Sequence, residues 1–204
     1  MDLKIELEKP APLYNLIKSR LENHSPVIYQ YAQVSYREAA VLIPLFFKEN
    51  IPHLLFTKRT EKVEHHKGQI SFPGGMLDKR DASLQITALR ETREEVGIQE
   101  QDITILGRTD QFLTNTNFMV TPYAGYFTYP YPYTVNSDEI SQLIEVPLPH
   151  LLKPEIFEVK KWERNGVLWD VHFYYYNKEV IWGVTGFLLS NFLSLVFELP
   201  RIPV

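Results

Sequence analysis

Residues 72–98 read FPGGMLDKRDASLQITALRETREEVGI, and the rest of the chain is best read outward from them. Phe72-Pro73-Gly74-Gly75 is a strong breaker, a tight backbone almost free of side chains. From about Ala82 the pattern turns helical and continues to Val96. Gly97 then stands just past the helix, where glycine is favoured because it adopts the left-handed conformation without strain. At about 100° per residue, Glu91, Glu94 and Glu95 share one sector of this helix, while Ala82, Ile86, Leu89 and Val96 fall on the opposite face. The spacing therefore predicts a helix that buries one side and presents three carboxylates on the other.

Like charges three and four residues apart cost a few tenths of a kcal/mol per pair in a plain helix. A hard divalent cation reverses that cost, since Mg²⁺ is held by one or two carboxylates together with substrate phosphate oxygens. Arg90 is placed to orient Glu91 or to offset the repulsion. Taken alone, Glu-x-x-Glu-Glu is more often a solvated acidic face. The neighbours alter that reading, because Gly75 sits where a bare carbonyl can approach a metal and Gly97-Ile98 ends the helix straight after the carboxylates.

Around this segment the chain reads as strands with two further helices. Residues 10–22 carry Leu13, Leu16, Ile17 and Leu21 at helical spacing. Residues 39–47 and 53–59 are apolar runs either side of Lys48-Glu49-Asn50, a strand pair. Residues 103–113 and 118–127 read as strands, 128–137 as a Pro/Tyr loop, and 140–152 as a short strand and turn. Residues 157–162 and 167–176 flank Asn165-Gly166, a strong hairpin signal. Residues 180–197 lack charge but fall short of the roughly 20 apolar residues of a membrane span. They begin as a strand, so a buried C-terminal helix is expected. The whole is a mixed α/β sandwich in a single domain over residues 1–204, with 1–36 as an N-terminal helical extension.

Composition limits the function. The 204 residues are 45% hydrophobic and 23% charged, enough for an ordinary core. With a net charge of -4, neither a nucleic-acid coat nor a basic membrane binder is expected. There is no cysteine, which removes disulfides, thiolate metal sites and Cys nucleophiles. The N-terminus has no signal-peptide pattern and the C-terminus no peroxisomal address. A cytoplasmic protein is expected, and the sequence leaves a homodimer open.

Gly75 through Ile98 resembles the Nudix box, Gly-x5-Glu-x7-Arg-Glu-U-x-Glu-Glu-x-Gly-U with U apolar. Arg90, Glu91, Glu94, Glu95, Gly97 and Ile98 match in order and spacing. Asp81 stands where the first Glu belongs, one extra residue separates it from Arg90, and Thr92 replaces an apolar residue. The resemblance implies a Nudix-type α/β/α sandwich with a mixed sheet, a catalytic loop-helix-loop at 74–98 and a C-terminal helix. It also implies a pyrophosphatase using Mg²⁺ or Mn²⁺, with Glu91, Glu95 and Glu94 as ligands beside the Gly75 carbonyl. Glu139, in Ser137-Asp138-Glu139-Ile140, is the candidate general base from outside the box; a helix or turn cap is the other reading.

Upstream, Leu55-Phe56-Thr57-Lys58-Arg59 and His66-Lys67-Gly68-Gln69-Ile70-Ser71-Phe72-Pro73-Gly74-Gly75 resemble the signature of coenzyme A pyrophosphatases. Asp78, Asp81 and the lengthened box resemble the same subgroup. Thr60 stands where Ser or Ala is usual, and Glu64 where Arg is usual. Lys58, Arg59, Lys62, His65, His66 and Lys67 form a cationic cluster in an acidic chain. Coenzyme A, with a diphosphate and a separate 3′-phosphate, needs such counter-charge. The resemblance thus implies Arg59, Lys58, His66 and Lys67 as substrate-binding residues, with Arg59 toward the 3′-phosphate. Tyr129, Tyr131 and Tyr133 either stack on the nucleotide or line its channel, or are ordinary loop tyrosines. The competing readings are a Nudix hydrolase for ADP-ribose, NADH or a dinucleoside polyphosphate, and a non-catalytic Nudix binding module.

Overall fold

The computed structural model describes residues 9–27, 35–61, 67–164 and 166–200. His66, Lys62, His65, Glu64 and Asn165 therefore lie outside the described residues.

Helix α1 (Pro10–Glu22) starts at a proline, whose fixed φ suits a first helical turn. Its predicted stripe is real: Leu13, Ile17 and Leu21 are buried in the main core, so the helix is part of that core. Strands β1 (Arg37–Lys48) and β2 (Ile51–Arg59) form the expected antiparallel pair. Glu49 and Asn50 join them, both with positive φ, as a two-residue hairpin turn of this twist requires. Short strands β3 (Ile70–Ser71) and β4 (Gly74–Met76) lead into α2 (Leu84–Val96). This helix begins later than Ala82 because the Ser83 hydroxyl caps it, accepting the Ile86 N–H. Ala82 is accordingly exposed and not on the buried face.

The strand expected over 103–113 is two: β5 (Thr104–Arg108) and β6 (Phe112–Leu113). Asp110, in the break, is drawn away from the ladder. Its carboxylate lies 2.6 Å from His24 Nε2 and accepts the Val27 N–H and the Asn191 Nδ2–H, each at 2.8 Å. Strand β7 (Phe118–Tyr126) and strand β8 (Ile140–Pro147) follow, and then a single turn of helix, α3 (Leu148–Leu151).

These strands make one sheet whose main path runs β3-β2-β1-β7-β5, with β4 on β1, β6 on β7 and β8 on β2. β1 and β7 are parallel and the other pairs antiparallel, so the sheet is mixed as expected. Strand alternation divides the core. Leu42, Phe46 and Leu55 face α2, while Ile43, Leu45, Leu54 and Phe56 face α1 and the C-terminal helix. The result is a helix–sheet–helix sandwich.

A second sheet, not anticipated as separate, comprises β9 (Phe157–Arg164), β10 (Val167–Tyr176) and β11 (Glu179–Trp182). It packs against α4 (Gly183–Phe197), where Gly186 meets the carbonyl of His172. The chain's three tryptophans lie in this sheet, and Trp162 and Trp169 are exposed. Helix α4 is the expected buried C-terminal helix. Among the described residues, no helix is long and apolar enough to cross a membrane.

Candidate active site

Two glycines bring α2 to the sheet. A Cβ at Gly74 would fall 2.4 Å from the Ala40 carbonyl oxygen, so only glycine lets β4 lie this close to β1. At Gly75 a Cβ would fall 2.4 Å from Cδ of Glu91. The Glu91 carboxylate therefore rests directly on the Gly75 main chain. At the other end of the helix, Gly97 adopts φ 84° and its N–H closes on the Arg93 carbonyl at 2.9 Å.

Arg90 organises the polar face. Its Nε and Nη2 grip Asp81 at 3.0 and 2.9 Å, and Nη1 donates to Glu91 at 2.8 Å and Glu94 at 2.9 Å. Nη2 also donates to the Met76 carbonyl at 3.1 Å. The Asp81 side chain is nearly inaccessible and further accepts the Thr87 hydroxyl and the Asp78 N–H. The Arg90 hydrogen bonds hold its carboxyl well below the usual range despite burial. This accounts for two departures from the box: the loop is one residue longer, and the shorter acidic side chain still reaches the arginine. Thr92 accounts for the third. It is buried, and its hydroxyl donates to the Ala88 carbonyl at 2.7 Å, so an apolar slot accepts it.

The three glutamates are not equivalent. The Glu94 side chain is 47% exposed, Glu91 20% and Glu95 5%. Burial pushes the Glu95 carboxyl up to about 8, opposed by Arg59 and reinforced by Glu91 and Glu139. Burial also raises Glu91, against the pull of Arg90. Glu139 is brought in from the turn before β8. Thr60 N–H donates to the Glu139 carbonyl at 2.8 Å, and the Thr60 hydroxyl to the Asp138 carbonyl at 3.1 Å. Asn136 N–H bonds the Glu95 carbonyl at 3.0 Å, while its side-chain amide bonds the Glu139 carboxylate at 3.3 Å. Sequence reading did not single out Asn136, and gave Thr60 no role. Both act through contacts between segments far apart in the chain, which no local pattern announces.

Of the expected cations among the described residues, Arg59 alone comes to the carboxylates: Nη1 lies 3.8 Å from Glu95 and Nη2 3.9 Å from Glu139. Lys58 is engaged by Glu179 at 2.8 Å, and Lys67 is exposed in the turn before β3. The loop tyrosines support the α2 side of the core. Tyr129 stacks on Phe46, and Tyr131 and Tyr133 pack edge-on to Phe127. The Tyr131 hydroxyl donates to Asp102 at 2.7 Å.

Among the described residues, no three carboxylates or imidazoles converge closely enough to enclose an ion in this arrangement. Arg90 draws Glu91 and Glu94 to itself, and Glu95 lies apart beside the Gly74 N–H. The donors still suit a hard divalent cation. Glu95 is a buried carboxylate whose nearest cation stands beyond hydrogen-bond reach, and the Glu91 carboxylate lies against a backbone that only glycine leaves open.

A family model described as NUDIX domain matches residues 36–169. The chain belongs to the Nudix family. This Nudix hydrolase is 36% identical over 160 residues to an uncharacterized Nudix hydrolase NudL of Photorhabdus laumondii, spanning 78% of this chain and 85% of the relative. The namesake protein of Yersinia pestis is 34% identical over 166 residues, 81% of this chain and 83% of that one. A solved C. elegans Ap4A hydrolase binary complex aligns with a TM-score of 0.46 at 18% identity, covering 55% of this chain and 81% of that one. As a Nudix hydrolase the protein is a pyrophosphohydrolase, and enzymes of this family generally use divalent metal ions.

Proposed function

We propose that this Nudix hydrolase cleaves the diphosphate of coenzyme A or an acyl-coenzyme A, releasing 3′,5′-ADP and 4′-phosphopantetheine or its acyl derivative. The observation that carries the reading is where the upstream signature lies. Residues 55–59 form the end of β2 and residues 70–76 the entry to α2, so the signature is a wall of the carboxylate site, with Arg59 3.8 Å from Glu95.

In this reading Glu91, Glu95 and Glu94, with the Gly75 carbonyl, hold Mg²⁺ or Mn²⁺. When bound, such ions neutralise phosphate charge and lower the pKa of water. Arg90 Nη1 holds the Glu91 and Glu94 carboxylates together and offsets their repulsion. Glu139, half-exposed and close to Glu91 and Glu95, takes the proton of the attacking water. Water adds to one phosphorus as the bridging P–O bond breaks, and the departing phosphate leaves as a stable anion. Lys67, exposed in the turn before β3, meets the 3′-phosphate in this reading.

A substrate panel with product masses tests this: coenzyme A, acetyl- and longer acyl-coenzyme A, dephospho-coenzyme A, ADP-ribose, NADH and diadenosine tetraphosphate. Coenzyme A derivatives should give the highest kcat/KM and yield 3′,5′-ADP. Faster turnover of ADP-ribose, NADH or the dinucleotide would overturn the coenzyme A assignment and leave the reaction class standing.

A further inference from the structure

Arg90 beside Glu91 and Arg59 beside Glu95 serve the two less exposed carboxylates in opposite ways. Arg90 is saturated, donating to Asp81, Glu91, Glu94 and the Met76 carbonyl. Arg59 is not. Its Nε is buried without a hydrogen-bond partner, and its two terminal nitrogens are attracted to Glu95 and Glu139 from beyond hydrogen-bond distance. A buried N–H left unmet is destabilising and calls for an explanation. Slack in the main chain does not supply one. The Arg59 N–H donates to the Gln69 carbonyl at 3.0 Å, and its carbonyl accepts the Ser141 hydroxyl at 3.3 Å. The strand shifts register at Lys58/Arg59 against β8, a bulge of the kind that re-aims a side chain.

We propose that Arg59 binds the scissile diphosphate itself, and not the distal 3′-phosphate that the upstream signature suggested. In the free protein it stands as counter-ion to Glu95 and Glu139. Arg59 lies within 4 Å of both the buried metal-ligand candidate and the candidate base, between which the proposed reaction would place the reacting phosphorus. The 3′-phosphate of coenzyme A lies across a ribose ring from that point. A guanidinium fork matches phosphate oxygens bidentately, and here its donors are held close to two carboxylates without being satisfied by them. Once the carboxylate charge is neutralised, that attraction weakens and the fork, with the open Nε, turns to the phosphate. This inference rests on the diphosphate hydrolase reading of the site and does not depend on coenzyme A as the substrate.

The test compares Arg59→Ala and Arg59→Lys with wild type, on coenzyme A and dephospho-coenzyme A, with inorganic pyrophosphate as competitive inhibitor. Arg59→Ala should lower kcat/KM roughly 10- to 100-fold on both substrates with their ratio unchanged, and raise the pyrophosphate Ki by a similar factor. Arg59→Lys, which keeps the charge without the fork and guards against simple misfolding, should recover only part of the loss. A ratio that collapses while the dephospho rate is kept would return Arg59 to the 3′-phosphate. An unchanged Ki with a lowered Tm would make it an internal counter-ion only. If only ADP-ribose is turned over, the coenzyme A reading fails, and the Arg59 comparison is made on ADP-ribose and the same Ki.

Discussion

The carboxylate of Asp81 is held by Arg90 through two nitrogens, Nε at 3.0 Å and Nη2 at 2.9 Å, with 3% of the Asp81 side chain exposed. Removing one partner of such a buried pair leaves an uncompensated charge, which typically costs about 3–5 kcal/mol. Asp81→Ala should therefore lower the urea midpoint strongly, and should cut kcat as well because Arg90 also positions Glu91 and Glu94. A variant with wild-type stability would mean the pair is not what fixes Arg90.

The same pair sets a pH dependence. The folded-state pKa of Asp81 is depressed, so its contribution is present above the ordinary aspartate range and is lost as pH falls through the folded value. The stability gap between wild type and Asp81→Asn should be constant above about pH 5 and shrink progressively below about pH 4. Denaturant titrations at several pH values check this, and a gap that widens in acid would contradict it.

Glu95→Gln should lower kcat roughly 10²-fold or more, as loss of a charge-stabilising group at phosphorus does. The fold should be retained, because the amide removes a charge that burial already disfavours at this position. Turnover at the wild-type rate in a normally melting variant would reduce α2 to a solvated acidic helix.

Excess chelator should abolish hydrolysis, and Mg²⁺ or Mn²⁺ should restore it. Full activity with chelator present would remove the metal from the mechanism.

Gly75→Ala places a methyl group where the Glu91 carboxylate now lies. A misplacement on the order of 1 Å at such a centre can cost up to about 10²-fold in rate. The expected result is a folded enzyme with at least a tenfold lower kcat and an increased requirement for divalent ion. Unimpaired kcat would show that the contact of Glu91 with Gly75 is incidental.

The sequence by itself determined what depends on near neighbours. Helix α2, its stop at Gly97, the Glu49–Asn50 hairpin and the α4 helix follow from periodicity and from turn chemistry within a few residues. The carboxylates at 91, 94 and 95 were legible for the same reason, since a helix places such spacings on one side. Tertiary structure alone decided how unequal they are. Glu95 is sealed from solvent while Glu94 remains half-exposed, and burial disfavours the Glu95 charge. It also decided the company they keep. Thr60 ties the turn carrying Glu139 to the end of β2, and a bulge aims Arg59 between Glu95 and Glu139. It divided the expected cationic cluster as well, by giving Lys58 to Glu179. Hydrogen bonds and ion pairs between distant segments have no period in sequence. Burial, which sets their strength, exists only once the layers have packed.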